Sequence, residues 1–236
     1  MLTNNPRQEI KKICSEADIF ESILSLNNKN ILELGCGDAN LTRVIATTGT
    51  DRIMTATEVD QIQHQKNLLI DDLPNVTFKL AGSQNIPAAD NTFDIVFMFK
   101  SFHHVPLEQM DMALQEVRRV LKTEGLVYIS EPIFDGDFNE ILRLFHDEKF
   151  VRKSAFEAIK KSVDNNLFRF VDEIFFYSPV NYSSFAQFED RIIAATHTEH
   201  RLKNELYIKV KQKFDYYYQK NNGNFLAPNR VDILTK

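Results

Sequence analysis

Two acidic residues and two glycines lie within six positions of one another in the segment Glu33-Leu34-Gly35-Cys36-Gly37-Asp38. Glycine permits a tight bend and lets a ligand approach the backbone where a Cβ would otherwise stand. Glu58 ends a later apolar run, and a carboxylate at that place can accept both hydroxyl protons of a ribose. Two glycines alone would be weak evidence, but with Glu58 they predict a site for a ligand that contains adenosine.

The charge of this segment indicates which adenosine ligand it suits. A dinucleotide turn holds a pyrophosphate at a helix N-terminus, where Asp38 would repel the phosphates, and Asn40 stands where the dinucleotide fingerprint has its third glycine. A ligand that carries a sulfonium and an ammonium group would instead be attracted by Glu33, Asp38 and Glu58. The residues therefore favour a cationic sulfur compound, and an NAD-dependent oxidoreductase is the less favoured alternative.

Alternating strand and helix patterns are expected to position these residues. Apolar spacing over residues 10–24, after Pro6, predicts a helix before the first strand. The predicted strands are Asn30–Leu34, Arg52–Glu58, Val76–Ala81, Phe93–Phe99, Leu126–Ser130, Glu173–Tyr177 and Asn229–Leu234. Predicted helices include Gln61–Asp71, Leu107–Leu121 (ending at the turn Thr123-Glu124-Gly125), Ser184–Ala195 and Glu199–Lys220. A strand, a glycine turn and a helix in succession indicate a parallel βαβ unit.

Four segments, in order, resemble the class I S-adenosylmethionine-dependent methyltransferases. They are ILELGCGDANLT, TATEVD, LAGSQNIPAADNTFDIVFMFKSFHHVP and ALQEVRRVLKTEGLVYISEP, which together cover roughly residues 28–132. The resemblance is to the broad group that includes ubiquinone and menaquinone C-methylation enzymes and many natural-product methyltransferases. It implies S-adenosylmethionine as cofactor and methyl transfer to a small-molecule acceptor by in-line displacement.

The fold expected from the patterns and the resemblance is α/β. It is a Rossmann-like, mostly parallel seven-stranded sheet with helices on both faces and helical inserts in the C-terminal half. The chain is read as one methyltransferase domain, residues 1–236. Residues 1–27 form an N-terminal helix, 28–132 the cofactor-binding core, and 133–236 the rest of the sheet with helical lid and acceptor-binding inserts.

The resemblance also implies roles for individual residues. Gly35 and Gly37 would cradle the methionine part, with Glu33 beneath it. Glu58 would bind the ribose, and Val59 would pack on the adenine. The adenine edge would be lined by Gly82, Ser83 and Gln84, and the backbone at Phe99 would face the amino-acid end. Three positions depart from the family pattern: Ala39 replaces a glycine, Ser83 an aspartate, and Thr123-Glu124-Gly125 a Pro-Gly-Gly turn.

The acceptor side is less defined by the sequence. His103 and His104 could act as a general base, or they could pack and cap the following turn. Lys100 could orient an acidic acceptor or be solvated. Asp147, Glu148 and Arg152 could belong to a lid, although surface ion pairing is favoured. No metal is expected, because a His pair without further ligands is poor evidence for one.

Composition narrows the possible partners. The 236 residues carry a net charge of −5, which disfavours nucleic acid as a partner, since binding it usually needs an excess of Lys and Arg. A basic segment over residues 197–220, with Tyr216, Tyr217 and Tyr218, keeps a tRNA-modifying methyltransferase as an alternative. A non-catalytic cofactor-binding regulatory subunit is another. No signal peptide or membrane span is predicted, so a cytoplasmic location is expected.

Overall fold

The computed structural model describes residues 10–194 and 202–236. Seven strands form one sheet in the order β3-β2-β1-β4-β5-β7-β6. The strands are β1 Asn30–Leu34, β2 Ile53–Glu58, β3 Val76–Leu80, β4 Phe93–Phe99, β5 Leu121–Pro132, β6 Arg169–Asn181 and β7 Asn224–Thr235. The first five pair in parallel, whereas β7 is antiparallel to both β5 and β6. The predicted α/β class and mostly parallel seven-stranded sheet are confirmed.

Eight helices surround this sheet in the described part of the chain. They are α1 Glu16–Ile23, α2 Asn40–Thr47, α3 Gln61–Asn67, α4 Met110–Val120, α5 Asp137–Leu142, α6 Lys149–Asp164, α7 Phe185–Phe188 and α8 Asn204–Lys220. A 3-10 turn at Phe102–His104 follows β4, and a π-helical turn at Glu189–Ile193 follows α7. No helix of the described ranges has the length and apolarity needed to cross a bilayer.

Alternate residues of the central strands face two separate apolar cores. Leu32 and Val96 belong to a core with helices α4 and α6, whereas Ile31 and Phe97 belong to a core with α1 and α2. Because successive side chains of a strand point to opposite faces, the sheet is covered by helices on both sides. A third core lies among α5, α8 and the ends of β6 and β7, and it contains Phe188, Phe214 and Phe225 among its buried aromatic residues.

The order of the strands places a switch point between β1 and β4. The chain runs outward from β1 through β2 to β3, then returns to β4 on the other side of β1. In open α/β sheets, ligands bind beyond the carboxyl ends of the strands at such a point. The glycine segment after β1 and the residues after β4 meet there.

Two sequence predictions about element boundaries were wrong. The first helix begins only at Glu16, where Ser15 and Asp18 form a capping box, while Ile13 lies outside it and pairs with Tyr177 of β6. Thr123-Glu124-Gly125 does not end a helix, because α4 stops at Val120 and these residues lie within β5. They bulge out between the pairs Phe93–Leu121 and Ile95–Leu126, a register shift that local propensity does not reveal.

The C-terminal strands are longer than predicted, and the predicted helix Ser184–Ala195 is a short α-helix followed by the π-helical turn. The predictions for Pro6, Ala195, Glu199 and the start of the basic segment at His197 fall outside the described residues.

Candidate functional site

The bend after β1 is fixed by its contact with the end of β4. Gly35 and Gly37 have φ of +73° and +53°, values that favour glycine. Ser101 donates a hydrogen bond from Oγ to the Leu34 carbonyl oxygen over 2.7 Å, and a Cβ on Gly35 would lie 2.7 Å from the Ser101 Cβ. A Cβ on Gly37 would meet nothing within 4 Å. Gly35 is therefore required by packing, whereas Gly37 leaves open space beside the backbone.

Glu58 joins the end of β2 to this bend. Its carboxylate accepts hydrogen bonds from the backbone N–H groups of Gly37 (2.8 Å), Val59 (2.7 Å) and Asp60 (2.9 Å). The side chain is buried, and within the described ranges no Lys, Arg or His forms an ion pair with it. The three donors hold an anionic group at the rim of the bend, where a ribose could replace some of them as donor.

Glu33 is a buried acid beneath the bend. It accepts a hydrogen bond of 2.6 Å from Thr42 Oγ1 on α2. Burial, reinforced by the nearby charges of Asp38 and Glu58, raises the pKa of Glu33 to about 8 although the Thr42 hydrogen bond opposes it. A cation bound above the bend would favour the ionised form of this carboxyl.

The N-terminus of α2 is occupied by a carboxylate. Asp38 accepts hydrogen bonds from the backbone N–H of Asn40 (3.4 Å) and from its Nδ2 (2.7 Å), while Ala39 between them has a φ of +62°. A dinucleotide would need this helix terminus for its pyrophosphate. The position of Asp38 therefore disfavours phosphate, as the sequence indicated.

The residues expected around the adenine lie at the ends of β2 and β3. These ends are joined by a hydrogen bond of 3.1 Å from the Ala81 N–H to the Glu58 carbonyl oxygen. Val59 is 67 % exposed, whereas Ser83 is buried. The side chain of Gln84 lies against Gly82, where a Cβ would be 2.3 Å from its Oε1.

Phe99 also lies near the bend, at the end of β4. Its ring is buried and stacks on Phe97 with centroids 4.9 Å apart, so only its backbone is available to a ligand.

A cavity of about 300 Å³ lies beyond the ends of β4, β5 and β7, between the sheet and helices α5 and α6. Lys100, His104, Glu148 and Arg152 line its polar side, and its apolar lining includes Phe138, Leu142, Phe145 and Val180. The volume is at the lower end of the range for small-molecule sites. Lys100 has a φ of +51°, and among the described residues its ammonium has no ion-pair partner.

A larger cavity, about 510 Å³, lies at the opposite edge of the sheet. It is lined by Lys29, Asp94, Thr123 and neighbouring residues at the amino ends of β1 and β4. Because the glycine bend and the acidic residues are at the carboxyl ends, we regard only the smaller cavity as part of the candidate site.

The two histidines after β4 have different environments. His103 is buried, with Nδ1 hydrogen-bonded to Glu131 and Nε2 3.4 Å from Glu148 Oε1. Burial alone would lower the pKa of His103, but the two carboxylates raise it to about 9. The His104 side chain is 59 % exposed. The pKa of His104 is lowered chiefly by the partial desolvation of its ring and, to a smaller extent, by the charge of the nearby His103. Both histidines line the cavity.

Glu148 belongs to this site, although sequence reasoning favoured a surface ion pair. It is buried and accepts hydrogen bonds from Arg152, at 2.6 Å, and from His146, at 2.7 Å. Together with His103, these partners hold the pKa of Glu148 below its ordinary value despite burial. Asp147 accepts only from the Lys149 backbone N–H among the contacts described, and it does not line the cavity.

Sequence reasoning missed two buried acids near the site. Glu131 at the end of β5 accepts hydrogen bonds from the Phe102 and His103 backbone N–H groups, at 3.0 and 3.3 Å. Glu16 at the start of α1 accepts from Tyr128 Oη (2.6 Å) and Ser130 Oγ (3.0 Å), and burial raises its pKa. The position of Glu131 after a buried strand was a usable signal, whereas nothing in the sequence marks Glu16.

Three of the four lysines of α8 form ion pairs within the protein, whereas Lys209 is exposed and forms none with the described residues. Lys211 pairs with Asp215 on the same helix, and Lys213 and Lys220 pair with Glu140 and Asp137 of α5. Cations that are already neutralised contribute less to phosphate binding. The RNA-binding interpretation of this segment therefore gains no support from the described contacts.

Comparisons with known proteins show which sequences and folds this chain is similar to. Residues 31–125 match the family model described as a methyltransferase domain. Over 159 residues the chain is 21 % identical to an uncharacterised methyltransferase of Oceanobacillus iheyensis, a match that covers 66 % of this chain and 70 % of that protein. Over 138 residues it is 28 % identical to the O-methyltransferase rstn1 of Aspergillus nomiae, covering 55 % of this chain and 59 % of that protein.

Among solved structures, the YcgJ protein of Bacillus subtilis superimposes with a TM-score of 0.65 at 16 % identity, covering 93 % of this chain and 97 % of that one. This likeness shows the fold alone. The domain match and the relatives support a class I S-adenosylmethionine-dependent methyltransferase. The narrower resemblance to the ubiquinone, menaquinone and natural-product group stays a prediction.

Substitution of Gly35 tests the close contact between β1 and β4. Gly35→Ala introduces both a positive-φ strain and a clash with Ser101, so we expect the free energy of unfolding to fall by about 2 to 4 kcal/mol. Gly37→Ala has the same kind of φ but open space, and should lower it by only about 1 kcal/mol. Urea unfolding of the two variants measures the difference, and equal losses would show that the Ser101 contact is unimportant.

Glu33 should make stability depend on pH. Its folded-state pKa of about 8 lies above its ordinary 4.5, so its contribution is fully present below pH 4.5 and is lost as the pH rises through 8. Glu33→Gln removes this titration. The free energy of unfolding of the variant, relative to that of the wild type, should therefore rise between these pH values. A relative stability that stays constant across this range would contradict the buried, protonated state of Glu33.

Proposed function

We propose that this chain binds S-adenosylmethionine at the glycine bend and transfers its methyl group to a small molecule held in the 300 Å³ cavity. The observation that carries the proposal is the bend itself. It offers open space at Gly37 and two buried acidic residues, Glu33 and Glu58, that form no ion pair with a cationic side chain in the described structure. A positively charged ligand would complete the electrostatics of this site.

The residues around the bend fit each part of that cofactor. Glu58 would accept the ribose hydroxyls, Glu33 would lie beneath the methionine part between Gly35 and Gly37, and the Phe99 backbone would face its amino-acid end. The exposed Val59 would pack on the adenine, with Gly82, Ser83 and Gln84 along its edge. The cofactor supplies an electrophilic methyl on a positively charged sulfur, which leaves as a neutral thioether.

The protein would accelerate the transfer mainly by positioning. The acceptor must approach the methyl from the side opposite the sulfur, and an enclosed cavity holds the two reactants in line while it excludes water. Helices α5 and α6 border that cavity, so residues 133–236 are proposed to act as the lid and acceptor-binding part. Lys100, His103 and His104 are the candidates for contact with the reacting groups.

The lining of the cavity indicates the chemistry of the acceptor. Phe138 and Phe145 contribute apolar lining, and Lys100, which forms no ion pair with the described residues, contributes a cationic group. A small molecule with an apolar or aromatic body and an acidic or hydroxyl group fits this division. The named relative that is an O-methyltransferase supports an oxygen acceptor.

Two exposed aliphatic residues at opposite ends of β2 provide a test of cofactor binding. Val59→Ala removes apolar area expected to cover the adenine, and should weaken the binding of S-adenosylhomocysteine by about 5-fold. Ile53→Ala removes a similar exposed surface, 62 % accessible, at the other end of the strand and should have no effect. Titration calorimetry measures both, and an equal effect of the two variants would place the adenine elsewhere.

Turnover distinguishes the proposed enzyme from a cofactor-binding regulatory subunit. We expect formation of S-adenosylhomocysteine when the chain is incubated with S-adenosylmethionine and a panel of aromatic hydroxyl and carboxyl compounds. Cofactor binding without product from any acceptor would favour the regulatory subunit. Product formed only with tRNA, at an affinity that falls steeply with salt, would favour the tRNA-modifying alternative.

A further inference from the structure

Two imidazoles and a carboxylate converge on one side of the acceptor cavity. His103 and His104 come from the turn after β4, and Glu148 comes from the residue before α6. One ligand atom from each lies within 4.8 Å of the other two. The Glu148 Oε1 atom is 3.4 Å from His103 Nε2 and 4.0 Å from His104 Nε2.

The surrounding residues hold two of these groups in the orientation that metal ligands adopt. Glu131 hydrogen-bonds to His103 Nδ1, which leaves Nε2 directed at Glu148. Arg152 binds the other oxygen of Glu148, Oε2, at 2.6 Å and leaves Oε1 facing the imidazoles. A carboxylate behind a metal-binding histidine fixes its tautomer and ring orientation, and such partners strongly affect metal affinity.

We infer that His103 Nε2, His104 Nε2 and Glu148 Oε1 form a binding site for a first-row divalent metal ion, with one coordination position open to the acceptor cavity. Two imidazoles and one carboxylate suit zinc and its neighbours. Three protein ligands with a free position are the arrangement of catalytic zinc sites, whereas structural sites have four.

The spacing requires little movement. Ligands about 2.0 to 2.1 Å from a tetrahedral ion lie about 3.3 to 3.4 Å apart, which is the distance between His103 Nε2 and Glu148 Oε1. The longer distance to His104 would shorten by a rotation of its exposed ring. His146 donates to the same Glu148 oxygen at 2.7 Å and is a hydrogen-bond partner outside the cluster.

The charge of the site also suits a divalent cation. Glu131 and Glu148 are buried acids, and Arg152 is the only Lys or Arg that forms an ion pair with either of them in the described structure. Buried carboxylates need opposite charge or hydrogen bonds close by. Sequence patterns do not reveal this cluster, because Glu148 lies far along the chain from the histidine pair.

The inference deepens the proposed function and rests on it only for the role of the ion. A hydroxyl of the acceptor bound at the open position would lose its proton to solvent more easily, because the ion lowers the pKa of a coordinated hydroxyl. The site therefore favours acceptors with a hydroxyl beside a second oxygen or nitrogen, which can bind one metal through two atoms.

Zn²⁺ binding to the full chain, measured by competition with a chromophoric chelator, tests the site without any methyl transfer. We expect one Zn²⁺ per chain, and affinity lower by about 10-fold or more in His104→Gln, Glu148→Gln and the supporting variant Glu131→Gln. Glu157→Gln, an exposed residue on α6, is the matched control and should bind like the wild type.

A spectroscopic measurement on the unmodified protein covers the case in which a variant fails to fold. The Co²⁺-loaded chain should show exchangeable, hyperfine-shifted proton resonances from coordinated imidazole N–H groups. Absence of stoichiometric Zn²⁺ binding, absence of these resonances, or equal affinity in the wild type, His104→Gln and Glu148→Gln would each overturn the inference.

Titration of the same samples with S-adenosylhomocysteine separates this inference from the proposed function. Cofactor binding without metal binding would contradict only the proposed metal site. Metal binding without cofactor binding would contradict the proposed function and support the metal site.

Discussion

The close approach of Gly35 to Ser101 is the constraint on which the candidate site depends. Ser101 donates a hydrogen bond to the Leu34 carbonyl oxygen, and its Cβ leaves no room for a Cβ on Gly35. The ends of β1 and β4 therefore lie against each other. Glu58 then ties the end of β2 to the same bend through the Gly37 N–H. The ends of β1, β2 and β4 therefore meet at the bend. The acidic residues Glu33 and Glu58 there favour a cation over a phosphate.

A second set of interactions connects this bend with the acceptor cavity. The turn that begins with Ser101 continues into His103, whose ring is held between Glu131 of β5 and Glu148 at the start of α6. Glu148, which lines the cavity, therefore contacts the turn that follows the strand end beside the bend.

The parallel half of the fold was predictable because its signals are local. β4 is an almost continuous apolar run, and a strand followed by a glycine turn and a helix indicates a βαβ unit. The bulge at Thr123–Gly125 and the late start of α1 were not predictable, since register and the pairing of Ile13 with Tyr177 depend on partners distant in sequence. The acceptor side was not predictable for the same reason. Glu148 resembled a surface residue in the sequence, and its contact with His103 joins positions that are distant along the chain.

Competition between two adenosine-containing ligands tests the central claim, that the acid-lined bend selects a ligand with a cationic amino-acid part over one with a pyrophosphate. The chain would be saturated with S-adenosylhomocysteine, whose amino group is cationic, and then titrated with NAD in a calorimeter. The account predicts one S-adenosylhomocysteine per chain and no displacement by NAD, because Asp38 faces the helix terminus that a pyrophosphate would need. Displacement by NAD at comparable concentration, or no heat with S-adenosylhomocysteine, would contradict it.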